Sequence, residues 1–426
     1  MQRLSPSLGG IRSAALRSVP AGVLAGAALD INFKSNSGYA NGVTGQAKDF
    51  LTVSRSSSGD YVQNSAGVWV PVAANTLRRS DLGMRRGVSR VNSYLHSFDL
   101  SNASWSVNGF TRSADGTLSP DNSSPAAKVV STAAGAYIYQ SVAVTSGTTY
   151  TVSVFVKPAG RTAFVLLAQG ALFADATTRT ASFTLTGDGS TAIISGTSVS
   201  SAIKAYPNGW YRISLTFTPT LSVTNTVQLR DSVTGDSVNG FYLAMAQWEV
   251  GPYATSPMSS EGSPVTRALD VITADDVASW WPVGDVSIYF EGTMIGLENT
   301  NNWLFSADDG TFNDEMRLLV GATGTITLGV TTGGVGQASV ASGAGAITAG
   351  SQFKALAVYG VNDFRLYLNG ALASTPDTSG TIPTGIANFR LGQRVGNVYP
   401  SSHIAERVAV FPGAMEESRV LELTTL

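Results

Sequence analysis

Along Tyr211-Arg-Ile-Ser-Leu-Thr-Phe-Thr218, apolar and polar side chains alternate without a break. Successive side chains of an extended chain point to opposite faces, so this pattern specifies a strand with one apolar and one wet face. Tyr150 to Lys157 alternates in a similar way, with Tyr150, Val152, Val154 and Val156 against Thr151, Ser153, Phe155 and Lys157. Gly187-Asp-Gly189 and Pro207-Asn-Gly209 supply turn chemistry between the two. Gly240 to Val250 adds a long apolar strand. This many short strands within about 160 residues point to a sandwich or jelly roll.

The same grammar returns further on. Val286 to Glu291, Phe364 to Leu368, Asn388 to Gly392 and Ile404 to Phe411 read as strands. Asn369-Gly370 provides the positive φ angles of a tight hairpin turn. Ala414 to Thr424, after Pro412-Gly413, is the one convincing helix, with Val420, Leu421 and Leu423 on its apolar side. The expected fold is therefore all-β: two β-sandwich or jelly-roll domains in tandem after an irregular N-terminal region. The expected boundaries are an attachment and oligomerisation region over 1–97, a first sandwich over 98–258, a linker over 259–270 rich in Ser, Gly and Pro, and a second sandwich over 271–426. Short strand signals also fall at Phe50 to Val53 and Gly67 to Pro71, and one helical turn at Ser13 to Ser18 before Pro20.

Composition narrows the function classes. Charged residues make up 13% and the net charge is −2. A soluble domain usually carries about 25% charged residues. No strong basic field is present to hold nucleic acid, and no apolar run reaches the roughly 20 residues of a membrane helix. The chain has no cysteine, which excludes disulfides and thiolate metal sites. That absence fits assembly in a bacterial cytoplasm better than in an oxidising secretory compartment. Arg3, Arg12 and Arg17 ahead of the small apolar run Ala21 to Leu29 allow a secretory leader ending near Ala27. Pro20, Gly22 and Gly26 break that run, and an attachment arm is the favoured reading.

Two stretches resemble known families. Residues 363–423 run Asp-Phe-Arg-Leu-Tyr-Leu-Asn-Gly, then Phe-Arg-Leu-Gly, then Ile-Ala-Glu-Arg-Val-Ala-Val-Phe-Pro-Gly-Ala-Met. This order resembles the second half of a concanavalin A-like (laminin G-like) sandwich. Residues 98–270 are similar to a carbohydrate-binding-module-like jelly roll of phage head-spike and tail-fibre proteins. The matching elements include Phe98 to Trp105, Tyr139 to Val142, Thr148 to Lys157, Gly209 to Ser214, Ala246 to Gly251 and Thr266 to Ala268. Trp248 stands where that family commonly has Leu. The resemblance implies a virion-surface structural protein: a head spike, decoration or tail-fibre subunit. It further implies a homo-oligomer, most simply a trimer, whose partners are capsid or tail proteins and host glycans.

The candidate chemistry is sparse. His96 and His403 are the only histidines and neither sits in a nucleophile motif. The Glu-x-Asp-x-x-Glu strand of concanavalin-like glucanases is absent, so no enzyme activity is expected. Sugar binding calls for exposed aromatic rings. Trp105, Trp210, Trp248, Trp280, Trp281 and Trp303 are the tryptophans considered, and Trp280, Trp281 and Trp303 are favoured. Trp280 and Trp281, if on a strand, would point to opposite faces and leave one ring exposed. Asp308, Asp309 and Asp314, with Glu315, cluster around Gly310 and form either a solvated turn or a Ca²⁺ loop. Arg78, Arg79, Arg85 and Arg86, with Arg90 nearby, either pair with carboxylates across a boundary or dock on an acidic capsid or tail surface. The alternatives to a virion protein are a secreted bacterial lectin or adhesin and a polysaccharide depolymerase.

Overall fold

The computed structural model describes residues 21–57 and 59–426. The helical turn expected at Ser13 to Ser18 lies outside them. The regular structure of the described chain is almost wholly strand, and its helices are short.

The first sandwich is built where the alternation placed it. One sheet runs in the order Phe110–Leu118, Pro125–Ser131, Gly240–Val250, Tyr150–Ala159, Tyr211–Phe217, Val199–Ala205. The facing sheet centres on Val223–Asp231 and Ala163–Ala168. Val152, Val154, Ile213, Leu215, Phe241 and Trp248 meet Phe164, Leu166, Val227 and Leu229 in the core between them. Gly209, at a φ of +79°, closes the turn from Val199–Ala205 into Tyr211–Phe217.

The second sandwich corrects the expected boundaries. Leu29–Asn32 pairs with Ser402–Pro412, and Leu51–Ser54 pairs with Val271–Ala274. Residues assigned to an attachment region therefore supply a strand to each sheet of the C-terminal unit. Leu29, Ile31, Phe33, Phe50, Leu51 and Met84 are part of its core. Leu24 and Ala27, at the supposed leader junction, pack with the helix Glu417–Thr424 against the outer side of one sheet. The periodicity of these short segments was readable, but their partner strands lie more than 200 residues away in sequence.

The first sandwich is thus inserted into the second. The chain leaves through Arg90–Asn92 and returns through Val265–Arg267, and these two segments pair with each other. The linker expected at 259–270 is not free: Ser260, Arg267 and Asp270 are all buried. The wet face expected on Tyr211–Phe217 is also covered, since Arg212 and Ser214 are buried beside Tyr211, Ile213 and Leu215.

Candidate functional site

Close enough to Arg212 of that face for Arg267 to act on it electrostatically lies a junction of buried charge. Asp270 accepts hydrogen bonds from Arg55 at 2.9 Å and from Arg78 Nε at 3.0 Å, and from the Gly87 amide at 2.7 Å. Asp60 accepts from Arg78 Nη1 at 3.2 Å and lies 3.7 Å from Arg267. Arg86 donates to the carbonyls of Ser401 and Asp270 and to Gln393 Oε1. Burial disfavours the Asp270 carboxylate, but Arg78 and Arg55 outweigh it and hold its pKa below the usual range. Backbone geometry is fitted to the pairing: a Cβ at Gly87 would stand 2.1 Å from an Arg78 nitrogen.

This settles where three of the four expected attachment arginines go. Arg78 and Arg86 are buried, and Arg79 donates to the carbonyls of Phe33 and Lys34. Arg85 differs. It follows Met84 on the strand Gly83–Arg86, so it projects to the opposite side from Met84, which is in the core. Its side chain takes no part in any hydrogen bond or ion pair found among the described residues. Its guanidinium lies 5.4 Å over the Trp69 ring. Burial pushes its pKa down, and Arg78 and Arg212 push the same way.

Arg85 opens into a cleft of about 490 Å³ between the two sandwiches. That volume is within the roughly 300–1,000 Å³ of small-ligand sites. One wall is the covered face of the first sandwich, with Lys204, Arg212, Ser214 and Thr216. The other comes from the second sandwich at Thr293, Ile295 and Ile404, and Tyr206 and Tyr253 contribute aromatic surface. No carboxylate, imidazole or thiol lines it. Arg212 is fixed by bonds to the Thr255 carbonyl and to Ser153 Oγ. Lys204 sits 5.6 Å over the Tyr206 ring, and its pKa is lowered first by burial and then by Arg85 and Arg212. Arg86 Nε, Arg212 Nε and Trp69 Nε1 are buried N–H donors without a hydrogen-bond acceptor among the described residues, whereas Arg55 Nε faces Asp60 at 3.5 Å. The cleft and its surroundings therefore carry more donors and positive charge than the protein itself neutralises.

The tryptophans favoured as a sugar platform are elsewhere and mostly covered. Trp280 ends a short helix, Val277–Trp280, so the strand argument for opposite faces does not apply. It is buried, and Trp281 is partly buried; both rings pack on Phe389. Trp303 is buried beneath Tyr399, whose ring stacks on it at 5.0 Å. Trp105, Trp210 and Trp248 are buried too. The acidic loop does not converge on a cation either. Asp308 is buried in an ion pair with Arg390 at 2.8 Å, Asp309 caps Thr311, and Asp314 accepts from the Gly333 amide. Among the described residues no three acidic or histidine side chains gather as a metal site.

The cleft was missed in the sequence because its residues come from segments far apart in the chain. The signal available was polar: Arg212 in an otherwise uncharged alternation, and an arginine cluster with too few acidic neighbours.

No protein-family model and no curated protein matches this chain. Among solved structures, the CBM40 of the Ruminococcus gnavus IT-sialidase aligns at 17% identity and a TM-score of 0.30, over 34% of this chain and 84% of that one. The NanB sialidase of Streptococcus pneumoniae aligns at 15% identity and a TM-score of 0.31, over 35% of this chain and 26% of that one. A heptameric SAP-like pentraxin from Limulus polyphemus aligns at 16% identity and a TM-score of 0.26, over 33% of this chain and 69% of that one. Each likeness is partial and concerns fold alone.

Proposed function

We propose that this chain is a non-enzymatic structural protein of a virion surface, a head-spike, decoration or tail-fibre subunit, that binds host glycans in the cleft between its sandwiches. The cleft carries the binding half of this reading: it joins aromatic surface, hydroxyls and fixed donors in a volume suited to a small ligand. Its lining carries no carboxylate, imidazole or thiol, which suits recognition more than hydrolysis. The virion half rests on the sequence resemblance of residues 98–270. Arg78 and Arg267 of the buried junction also bond Ser256 at the end of the first sandwich, which ties the two sandwiches together. Assembly as a closed trimer would multiply weak individual contacts. The test is a glycan array probed with the full chain, with light scattering on the same sample. Saturable binding by a trimer, without release of reducing ends, is expected. A monodisperse monomer that retains no glycan overturns the reading.

One observation favours a second reading, a polysaccharide depolymerase. Gln352 Nε2 lies 3.4 Å from a Glu291 oxygen and 2.9 Å from a Glu406 oxygen, so two carboxylates from neighbouring strands approach one point. Paired carboxylates are what glycoside hydrolysis needs. Release of reducing ends that disappears in Glu291→Gln would establish it.

A further inference from the structure

We infer that the cleft recognises an anionic group, and that its ligand, on the glycan-binding reading above, is an acidic saccharide whose carboxylate or sulfate lies against Arg85. Three cations, Arg85, Lys204 and Arg212, line one cavity that has no acidic side chain. Arg85 is half-buried, and a partly desolvated guanidinium with no acceptor in the fold gains most from an anion that reaches it. Arg55, Arg78 and Arg86 show how this chain satisfies its buried arginines: each has an acceptor within the fold. Arg85 alone of the cluster faces open cleft volume.

The nearest carboxylates are already occupied. Asp60 and Asp270 are held by Arg55, Arg78 and Arg267. Glu249 accepts from the Thr255 amide and hydroxyl. The negative charge that balances the cleft must therefore come from outside. A guanidinium presents paired donors that match a carboxylate or a sulfate in two bonds, and Lys204 adds a point charge beside it. Ser214, Thr216 and Thr293 offer hydroxyls for the neutral part of a sugar, and Tyr206 a ring face. A neutral saccharide would leave Arg85 without a charged partner.

The experiment uses the full chain and three probes of equal length titrated by calorimetry: a uronate-containing oligosaccharide, a sulfated one and a neutral one. Sodium sulfate serves as a competitor. The expected result is at least tenfold tighter binding of one acidic probe than of the neutral probe, weakening as NaCl rises. Arg85→Gln should remove that preference, bringing the acidic probe to within about twofold of the neutral one. Lys48→Gln, at an exposed lysine that does not line the cleft, should change nothing. An unchanged melting temperature shows that Arg85→Gln still folds. Equal binding of all three probes, insensitive to Arg85→Gln, overturns the anionic group and leaves glycan binding standing. Sulfate binding that depends on Arg85, with no saccharide bound, supports the anion site and overturns the glycan reading. No binding of any probe or of sulfate overturns both.

Discussion

Arg78 and Arg85 lie in one short stretch of chain and carry the same charge, yet the structure gives them opposite energetic roles. Arg78 bridges two buried carboxylates, and truncating one side of such a pair leaves the other charge buried and unpaired. Arg78→Gln should therefore destabilise the chain by about 3–5 kcal/mol in urea unfolding. Arg85 has only the Trp69 ring and like-charged neighbours, so Arg85→Gln should shift stability by no more than about 1 kcal/mol. Equal losses for the two variants would contradict this assignment. His403 is the second residue-scale case. It is buried beneath Phe290 with Nδ1 at 2.8 Å from Ser401 Oγ, and burial, aided by Arg86, pushes its pKa down to about 3. The unfolded chain protonates this side chain below about pH 6.5, whereas the folded chain stays neutral until far lower. Its depressed pKa thus withdraws stability as pH falls from about 6.5 toward 3, by up to about 1.4 kcal/mol per unit. Unfolding free energies of the parent and His403→Gln at pH 7.5 and 5 check this; the same pH dependence in both would contradict it.

At the scale of elements, local signals were sound wherever sequence neighbours pair. Asn369 and Gly370 take the positive φ angles expected, and Asp363–Leu368 turns straight into Ala371–Leu372. Gly240–Val250 is one strand with a bulge at Met245, and the terminal helix is shorter than expected, Glu417–Thr424. What the alternation could not reveal is which polar face stays wet. The polar side of Tyr211–Phe217 looks solvent-facing in sequence and is instead the wall of the cleft. Trp280 and Trp281 failed for a related reason: a period-two argument was applied to a turn of helix. The arginine cluster was legible as an ion-pairing boundary, since Arg78 does meet Asp60 and Asp270, but Arg85 could be told from its neighbours only in three dimensions. Gly87 offers a test of how tightly these elements are fitted. Its missing side chain makes room for the Arg78 guanidinium, so Gly87→Ala should weaken the Arg78–Asp270 pair and lower the melting temperature. An unchanged melting temperature would show that the guanidinium can be accommodated elsewhere.

For the whole molecule, insertion of one sandwich into the other decides which pieces can stand alone. Residues 93–262 contain both sheets of the first sandwich and nearly all of its core. Residues 271–426 resemble a complete domain in sequence, but they lack Leu29–Asn32 and Leu51–Ser54. Without those strands Ser402–Pro412 and Val271–Ala274 each lose a paired neighbour, and the apolar contribution of Leu29, Ile31, Phe50 and Leu51 is gone. Open edges and an unfilled core favour aggregation over folding. The 93–262 fragment should therefore melt cooperatively, though below the full chain, because Phe155, Trp210 and Met245 lose Trp69 and the hairpin that carries it. The 271–426 fragment should show no cooperative transition by circular dichroism, and adding residues 21–92 in trans should restore one. A cooperative melt of 271–426 alone, at a temperature close to that of the full chain, would mean that the N-terminal strands decorate a finished sandwich, and the cleft would then have to be regarded as a contact between independent domains.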